Sequence, residues 1–135
     1  MTASRPLSTI LRWWPVLLWA AIILSMSSVP GARLDDVGLQ VPDKLVHGLE
    51  YAILGALAMR AAALQYGSGA RAFVLALLIG AGFGVLDENY QRLIPQRDSS
   101  ALDWTADAVG TAIGAGFMAG LRRRERRGSA RRRSG

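Results

Sequence analysis

The amino-acid sequence predicts an all-α integral membrane protein, a bundle of four transmembrane helices with both termini cytoplasmic. Its 135 residues suit one domain, and 51% of them are apolar while only 19% are charged, with much of that charge in the last fourteen positions. Long uncharged runs and an uneven distribution of arginine are the two further observations. A soluble domain needs a polar surface that so few charged residues do not supply, so the composition favours a membrane protein.

Composition also excludes several classes of site. The absence of cysteine excludes disulfides, thiolate metal sites, iron–sulfur clusters and cysteine nucleophiles, and a single histidine excludes every site that needs two. The formal net charge of +6 comes from fifteen arginines and one lysine against ten acidic residues. The positions of these charges along the chain are therefore more informative than their sum.

The first predicted helix covers residues 13–32, an uncharged run of about the 20 residues that cross a bilayer. Pro15 falls in its first turn, where a missing N–H is harmless. The alternative is a cleaved signal peptide, because Arg5 and Arg12 precede the run and Ser25-Met26-Ser27 is similar to a cleavage site. The bulky tryptophans in the run favour the membrane span.

The second and third predicted helices differ in hydropathy. Residues 45–64 form the weaker candidate, because His47, Glu50 and Arg60 interrupt an otherwise apolar segment. Residues 72–94 begin with a run that is apolar on every side, which an amphipathic surface helix would not be. We expect both segments to span the membrane.

The fourth predicted helix covers residues 103–121 and is rich in glycine. Gly110 and Gly114 lie on one stripe of this helix, and Gly116 and Gly120 lie on another. Small residues four apart allow membrane helices to approach each other closely. The pattern predicts that other helices pack closely along these stripes.

The distribution of arginine and lysine predicts the orientation. A short turn at 65–71 joins the second and third helices on the side of the termini, and loops 29–42 and 95–102 lie on the other side. The side of the termini carries twelve basic residues and the other side carries four, so the termini are predicted to be cytoplasmic. Residues 1–121 form the predicted transmembrane domain. Residues 122–135 form a predicted disordered tail that touches anionic lipid, and no nucleic-acid fold accompanies it.

Polar residues converge at the outer face in this topology. They lie at the start of the second helix, the end of the third and the start of the fourth, and they recur at spacings of three and four that place them on one face of each helix. Charge within a membrane is costly, so such clustering indicates one polar site that opens outward. The clustered residues are Asp43, Lys44, His47, Glu50, Tyr51, Asp87, Glu88, Gln91, Arg92, Asp103 and Asp107.

Some of these residues have a purely structural interpretation. Asp43 and Asp103 are suited to cap the N-termini of their helices, and Glu88 with Arg92 is suited to an ordinary helix ion pair. The deeper residues have no such explanation. Among them, His47 is predicted to contact a carboxylate of another helix, either Asp87 or Asp107.

At these residues the sequence resembles the VanZ-like family of small multi-pass membrane proteins. The resemblance covers residues 13–120, and Ser27-Ser28-Val29-Pro30-Gly31 is similar to that family's first loop. Where the family often has asparagine four residues after the aspartate of the last helix, this chain has Asp107. The matching positions are Asp43, Lys44, His47, Tyr51, Asp87, Glu88, Gln91, Pro95, Arg97, Ser100, Asp103, Asp107, Gly110 and Gly114.

The resemblance implies a multi-pass protein of the bacterial cytoplasmic (inner) membrane. The family name derives from a protein associated with teicoplanin resistance, so the resemblance implies a role in glycopeptide resistance or cell-envelope homeostasis. The implied partners are membrane lipids and a cell-envelope precursor or glycopeptide, and not nucleic acid. The resemblance implies a fold and a site more than a reaction.

The preferred chemical hypothesis is binding of an anionic group at the outer face by Lys44, Arg92 and Arg97, with carboxylates beneath holding these cations. One alternative is metal-assisted hydrolysis at a mononuclear site that starts from His47 and Glu50, with completing ligands among Asp87, Glu88, Asp103 and Asp107. The other is a structural ion network in a membrane assembly factor. A catalytic triad of Ser100, His47 and Asp43 is a further alternative, but the sequence around Ser100 is not that of a nucleophile elbow. No catalytic residue and no cofactor is predicted. The predicted ligand-binding residues are Lys44, His47, Glu50, Tyr51, Asp87, Glu88, Gln91, Arg97, Asp103 and Asp107.

Overall fold

A computed structural model describes residues 5–30, 42–97 and 100–133, and within these ranges the chain forms four helices and no strand. They are α1 (Arg5–Ser27), α2 (Asp43–Tyr66), α3 (Ala70–Gln91) and α4 (Ala101–Arg133). The predicted all-α class is therefore confirmed. Most of the predicted loop 29–42 and part of the loop 95–102 lie outside the described residues, as does the side chain of Asp43.

The structure corrects both predicted helix caps. Pro42, not Asp43, occupies the N-cap position of α2, with backbone angles φ −55° and ψ 125° and no side-chain hydrogen bond. In α4 the cap is Ser100, whose Oγ accepts a hydrogen bond from the backbone N–H of Asp103 at 3.3 Å. The Ser100 hydroxyl donates in turn to Asp103 Oδ2 at 2.6 Å. Asp103 thus supports the first turn of α4 from inside the helix, in an arrangement close to a capping box.

The most extensive helix contact joins α2 and α4, whose backbones approach closely. A Cβ atom added at Gly110 would collide with the carbonyl oxygen of Gly48, and one added at Gly114 would collide with that of Ala52. Only glycine allows this approach, so the predicted Gly110–Gly114 stripe forms the interface. α3 packs on both α2 and α4, and α1 packs mainly on α2.

The second half of α4 differs from the prediction. A Cβ atom added at Gly116 or Gly120 would meet nothing within 4 Å, so this predicted stripe packs on no other described helix. The arginine-rich segment, predicted to be disordered, continues α4 as a helix through Arg133. The physical reason is that arginine is a good helix former, and extending an existing helix avoids the cost of nucleation.

Small residues dominate the buried apolar core, while many large apolar side chains point outward. One core cluster is built around Met59 and six alanines, and a second lies between α1 and α2 around Ile23, Tyr51 and Leu54. Residues more than 60% exposed include Ile10, Leu11, Leu17, Leu78, Leu86, Leu93, Leu102, Ile113 and Phe117.

Two helical segments, Ser8–Ser27 and Ala70–Gln91, are long and apolar enough to cross a membrane by length and composition. α2 and α4 do not meet this criterion within the described residues. His47, Glu50 and Arg60 lower the hydropathy of α2, and Asp107 with several glycines lowers that of the apolar part of α4.

Candidate functional site

A buried contact between His47 and Asp107 lies at the centre of the polar cluster. His47 Nδ1 lies 2.9 Å from Asp107 Oδ1, and the two residues are 2% and 0% exposed. His47 directly precedes Gly48, and Asp107 lies one turn before Gly110, so the close approach of α2 and α4 brings the two side chains together. The predicted contact between His47 and a carboxylate of another helix is confirmed, with Asp107 as the partner.

Asp87 anchors a second group of buried hydrogen bonds that joins three helices. Tyr51 from α2 donates its hydroxyl to Asp87 Oδ2 at 3.4 Å. Gln91, one turn after Asp87 on α3, donates to the same oxygen at 3.1 Å and to Ser27 Oγ of α1 at 3.2 Å. All four residues are buried. The network therefore fixes the end of α1 against the polar cluster.

Ser27 belongs to this network but is not among the predicted ligand-binding residues. It is 3% exposed and lies at the last position of α1. The available signal was its place in the segment that resembles the first loop of the VanZ-like family. Sequence spacing relates residues within one helix, so it did not connect Ser27 to Gln91.

Several carboxylate oxygens in the cluster are buried without a hydrogen-bond partner among the described residues. Both oxygens of Glu88 are in this state, as is one oxygen each of Glu50, Asp87 and Asp107. Glu88 is 5% exposed, so its carboxylate points into the protein, whereas Arg92 one turn later is exposed. Burial of a charged carboxylate without a partner costs free energy. We therefore expect these carboxylates either to bind a cation or to be protonated themselves.

Three side chains of types that bind metal ions lie close together in the polar cluster. One ligand atom each of His47, Glu88 and Asp107 can be chosen so that all three lie within 4.8 Å of one another. The predicted metal alternative started from His47 and Glu50 and offered four further carboxylates to complete the site. The structure groups His47 with two of those four, Glu88 of α3 and Asp107 of α4, and Glu50 is not in this group.

Two cations, Lys44 and Arg97, lie next to the carboxylates of the polar cluster, which we call the acidic layer. We call these two cations the rim. Lys44 Nζ lies 3.5 Å from Asp103 Oδ1, and its side chain remains 56% exposed. Arg97, in the segment after α3, is half-buried and close enough to Glu50 for its charge to act on that carboxyl group. The ten predicted ligand-binding residues thus lie at one end of the helix bundle.

The described contacts of Ser100 do not fit the Ser100–His47–Asp43 triad, of which the Asp43 side chain lies outside the described residues. The Ser100 hydroxyl donates to Asp103, and His47 Nδ1 contacts Asp107. The Ser100 hydroxyl therefore bonds a carboxylate and not the imidazole that would activate a serine nucleophile.

In comparisons with known proteins, the chain matches no protein-family model, no curated protein and no solved structure. The VanZ-like resemblance therefore stays a prediction that rests on the residues quoted for it.

Proposed function

We propose that this chain is a VanZ-like, multi-pass protein of the bacterial cytoplasmic membrane that binds an anionic headgroup or cell-envelope molecule at the outer membrane face. The rim cations Lys44 and Arg97 recognise the anion. The buried residues beneath them organise the site. The protein acts in cell-envelope homeostasis or glycopeptide resistance.

The distribution of side chains supports the membrane location. Large apolar residues are exposed along α1, α3 and α4, while charged residues such as Asp87, Glu88 and Asp107 are buried. Soluble proteins show the opposite distribution. Only 11% of the most apolar stretch of Ser8–Ser27 is buried, which is far less than a core helix of a soluble protein would bury.

The proposed topology places both termini in the cytoplasm and the polar cluster at the outer face. It rests on twelve basic residues on the side of the termini against four on the other. The helical segment 122–133 lies at the cytoplasmic surface, where its arginines meet anionic lipid.

Cysteine accessibility tests this topology directly, because the chain has no cysteine of its own. Ala101→Cys lies at the exposed start of α4, and Gly69→Cys lies at the opposite end of the bundle, where an added Cβ meets nothing within 4 Å. In intact cells an impermeant thiol reagent should label Ala101→Cys and not Gly69→Cys. The reverse pattern would place the polar cluster in the cytoplasm.

The observation that carries the ligand proposal is the rim itself. Lys44 is held by Asp103 yet remains 56% exposed, so its ammonium keeps donors for an outside group. Arg97 is half-buried, and its charge acts on the carboxyl group of Glu50. A guanidinium offers a planar fork that suits phosphate or carboxylate.

Binding of a short-chain anionic phospholipid to the purified full chain in detergent tests the rim, with a zwitterionic phospholipid as the ligand control. Loss of a charge-assisted hydrogen bond is worth about 1.5–3 kcal/mol, so Arg97→Ala should weaken binding by about 10- to 100-fold. Arg97→Lys should also weaken it, because a point charge replaces the fork. The matched control is Arg71→Ala, an exposed arginine at the opposite end of the bundle.

The same variants should alter glycopeptide susceptibility in cells. If susceptibility and lipid binding both survive Arg97→Ala and Lys44→Ala in protein shown to be folded and inserted, the rim is not a recognition element. The network of Ser27, Tyr51, Asp87 and Gln91 would then favour the structural alternative, a membrane assembly factor with a buried polar network.

A further inference from the structure

We infer that His47, Glu88 and Asp107 form a binding site for one divalent transition-metal ion, with Zn²⁺ as the preferred ion. This site lies within the polar cluster but does not involve the rim cations. It goes beyond the proposed recognition of an anion, and each of the two proposals can fail without the other.

The first observation is the convergence of three ligand types from three helices. His47 belongs to α2, Glu88 to α3 and Asp107 to α4, and one ligand atom of each lies within 4.8 Å of the others. Zinc bonds of about 2.0–2.2 Å place tetrahedral ligand atoms about 3.3 Å apart. The ligand atoms that lie farthest apart must therefore approach each other by up to about 1.5 Å when a metal binds.

The second observation is the state of the carboxylates. Glu88 is 5% exposed, and neither of its oxygens has a hydrogen-bond partner among the described residues. Asp107 is fully buried, and its Oδ2 is in the same state while Oδ1 contacts His47. A buried carboxylate without a partner is unfavourable, and a bound cation removes that penalty.

Charge and donor chemistry determine the class of ion. Two carboxylates and a neutral imidazole carry a net charge of about −2, which one divalent ion neutralises. Calcium and magnesium prefer sites made only of oxygen, whereas the imidazole nitrogen favours zinc or another transition metal. Zinc exceeds manganese in the usual order of affinity. Three protein ligands would leave a coordination position open, as catalytic zinc sites do.

The experiment measures metal in the full chain, purified in detergent without a polyhistidine tag and stripped with a chelator. The protein is dialysed separately against Zn²⁺, Mn²⁺ and Mg²⁺, and bound metal is measured by mass spectrometry. We expect one Zn²⁺ per chain, with an affinity at least about tenfold above that for Mg²⁺. Zinc should also raise the Tm of the stripped protein. Absence of stoichiometric zinc would overturn the inference and leave protonation as the way the carboxylates are neutralised.

Glu88→Gln is the decisive variant, because it removes a ligand without breaking a hydrogen bond in the described structure. We expect zinc affinity to fall by about 100-fold or more and the zinc-dependent rise in Tm to disappear. The matched control is Glu125→Gln, an exposed glutamate of α4, which should bind zinc as the unmodified chain does. His47→Ala should also abolish zinc binding.

Two results separate this inference from the proposed function. Arg97→Ala should retain one Zn²⁺ per chain, because Arg97 is not a ligand. Zinc binding that persists in Glu88→Gln at the unmodified affinity would overturn the metal site while leaving recognition at the rim unaffected. If His47→Ala fails to fold, Glu88→Gln alone decides the question.

Discussion

Replacement of Gly110 by alanine tests the contact on which the polar cluster depends. An added Cβ atom would collide with the carbonyl oxygen of Gly48, a backbone atom of another helix that cannot rotate away. α2 and α4 must therefore separate locally. This separation would act next to His47 and Asp107, so it should also lengthen their contact, now 2.9 Å.

Two opposing effects determine the magnitude. Alanine in a helix interior is favoured over glycine by about 1 kcal/mol. Overpacking costs about 1–3 kcal/mol, and the upper end applies here because the obstacle is backbone. We expect Gly110→Ala to lower the free energy of unfolding by about 2 kcal/mol. Gly116→Ala is the control, because a Cβ atom there meets nothing within 4 Å. Only the stabilisation from the higher helix propensity of alanine remains in this variant.

The assay is denaturant or thermal unfolding of each variant in the same detergent, followed by helical circular dichroism. The two variants make the same chemical change six residues apart on one helix, so detergent effects cancel in their difference. That difference should be about 3 kcal/mol. Equal stability of Gly110→Ala and Gly116→Ala would refute the close approach of α2 and α4.

Three further substitutions address the polar residues. His47→Ala should lower the free energy of unfolding of the metal-free protein by about 3 kcal/mol, because Asp107 would stay buried without its partner. Tyr51→Phe should cost about 1 kcal/mol through its hydrogen bond to Asp87, with the protein still folded. Ser100→Ala should cost about 1 kcal/mol through loss of the α4 cap. Each cost is measured by unfolding in detergent.

Exposed residues of the same type serve as controls for these substitutions. Tyr66→Phe changes an exposed tyrosine, and Ser129→Ala changes an exposed serine within α4. Both should stay within about 0.5 kcal/mol of the unmodified chain. A Tyr51→Phe variant as stable as Tyr66→Phe would show that the bond to Asp87 contributes nothing measurable. A Ser100→Ala variant as stable as Ser129→Ala would show the same for the cap.

The sequence alone determined the helical class, the approximate position of each helix and the end of the bundle at which the polar residues gather. These properties depend on the length of apolar runs and on spacing within one helix, which are local. The Gly110–Gly114 stripe was visible for the same reason. Composition predicted that the arginine-rich segment is a disordered tail, whereas in the structure this segment continues α4 as a helix to Arg133.

Only the tertiary structure decided which polar atoms meet. Spacing placed Asp87 and Asp107 at equal depth, and the rotation of α4 against α2 selected Asp107 as the partner of His47. The packing of α3 on α2 and α4 brought Glu88, and not the sequence neighbour Glu50, into the group with metal-ligating geometry. Helix rotation and register result from how backbones fit against each other, here where Gly110 meets Gly48, and no pattern within a single helix encodes that fit.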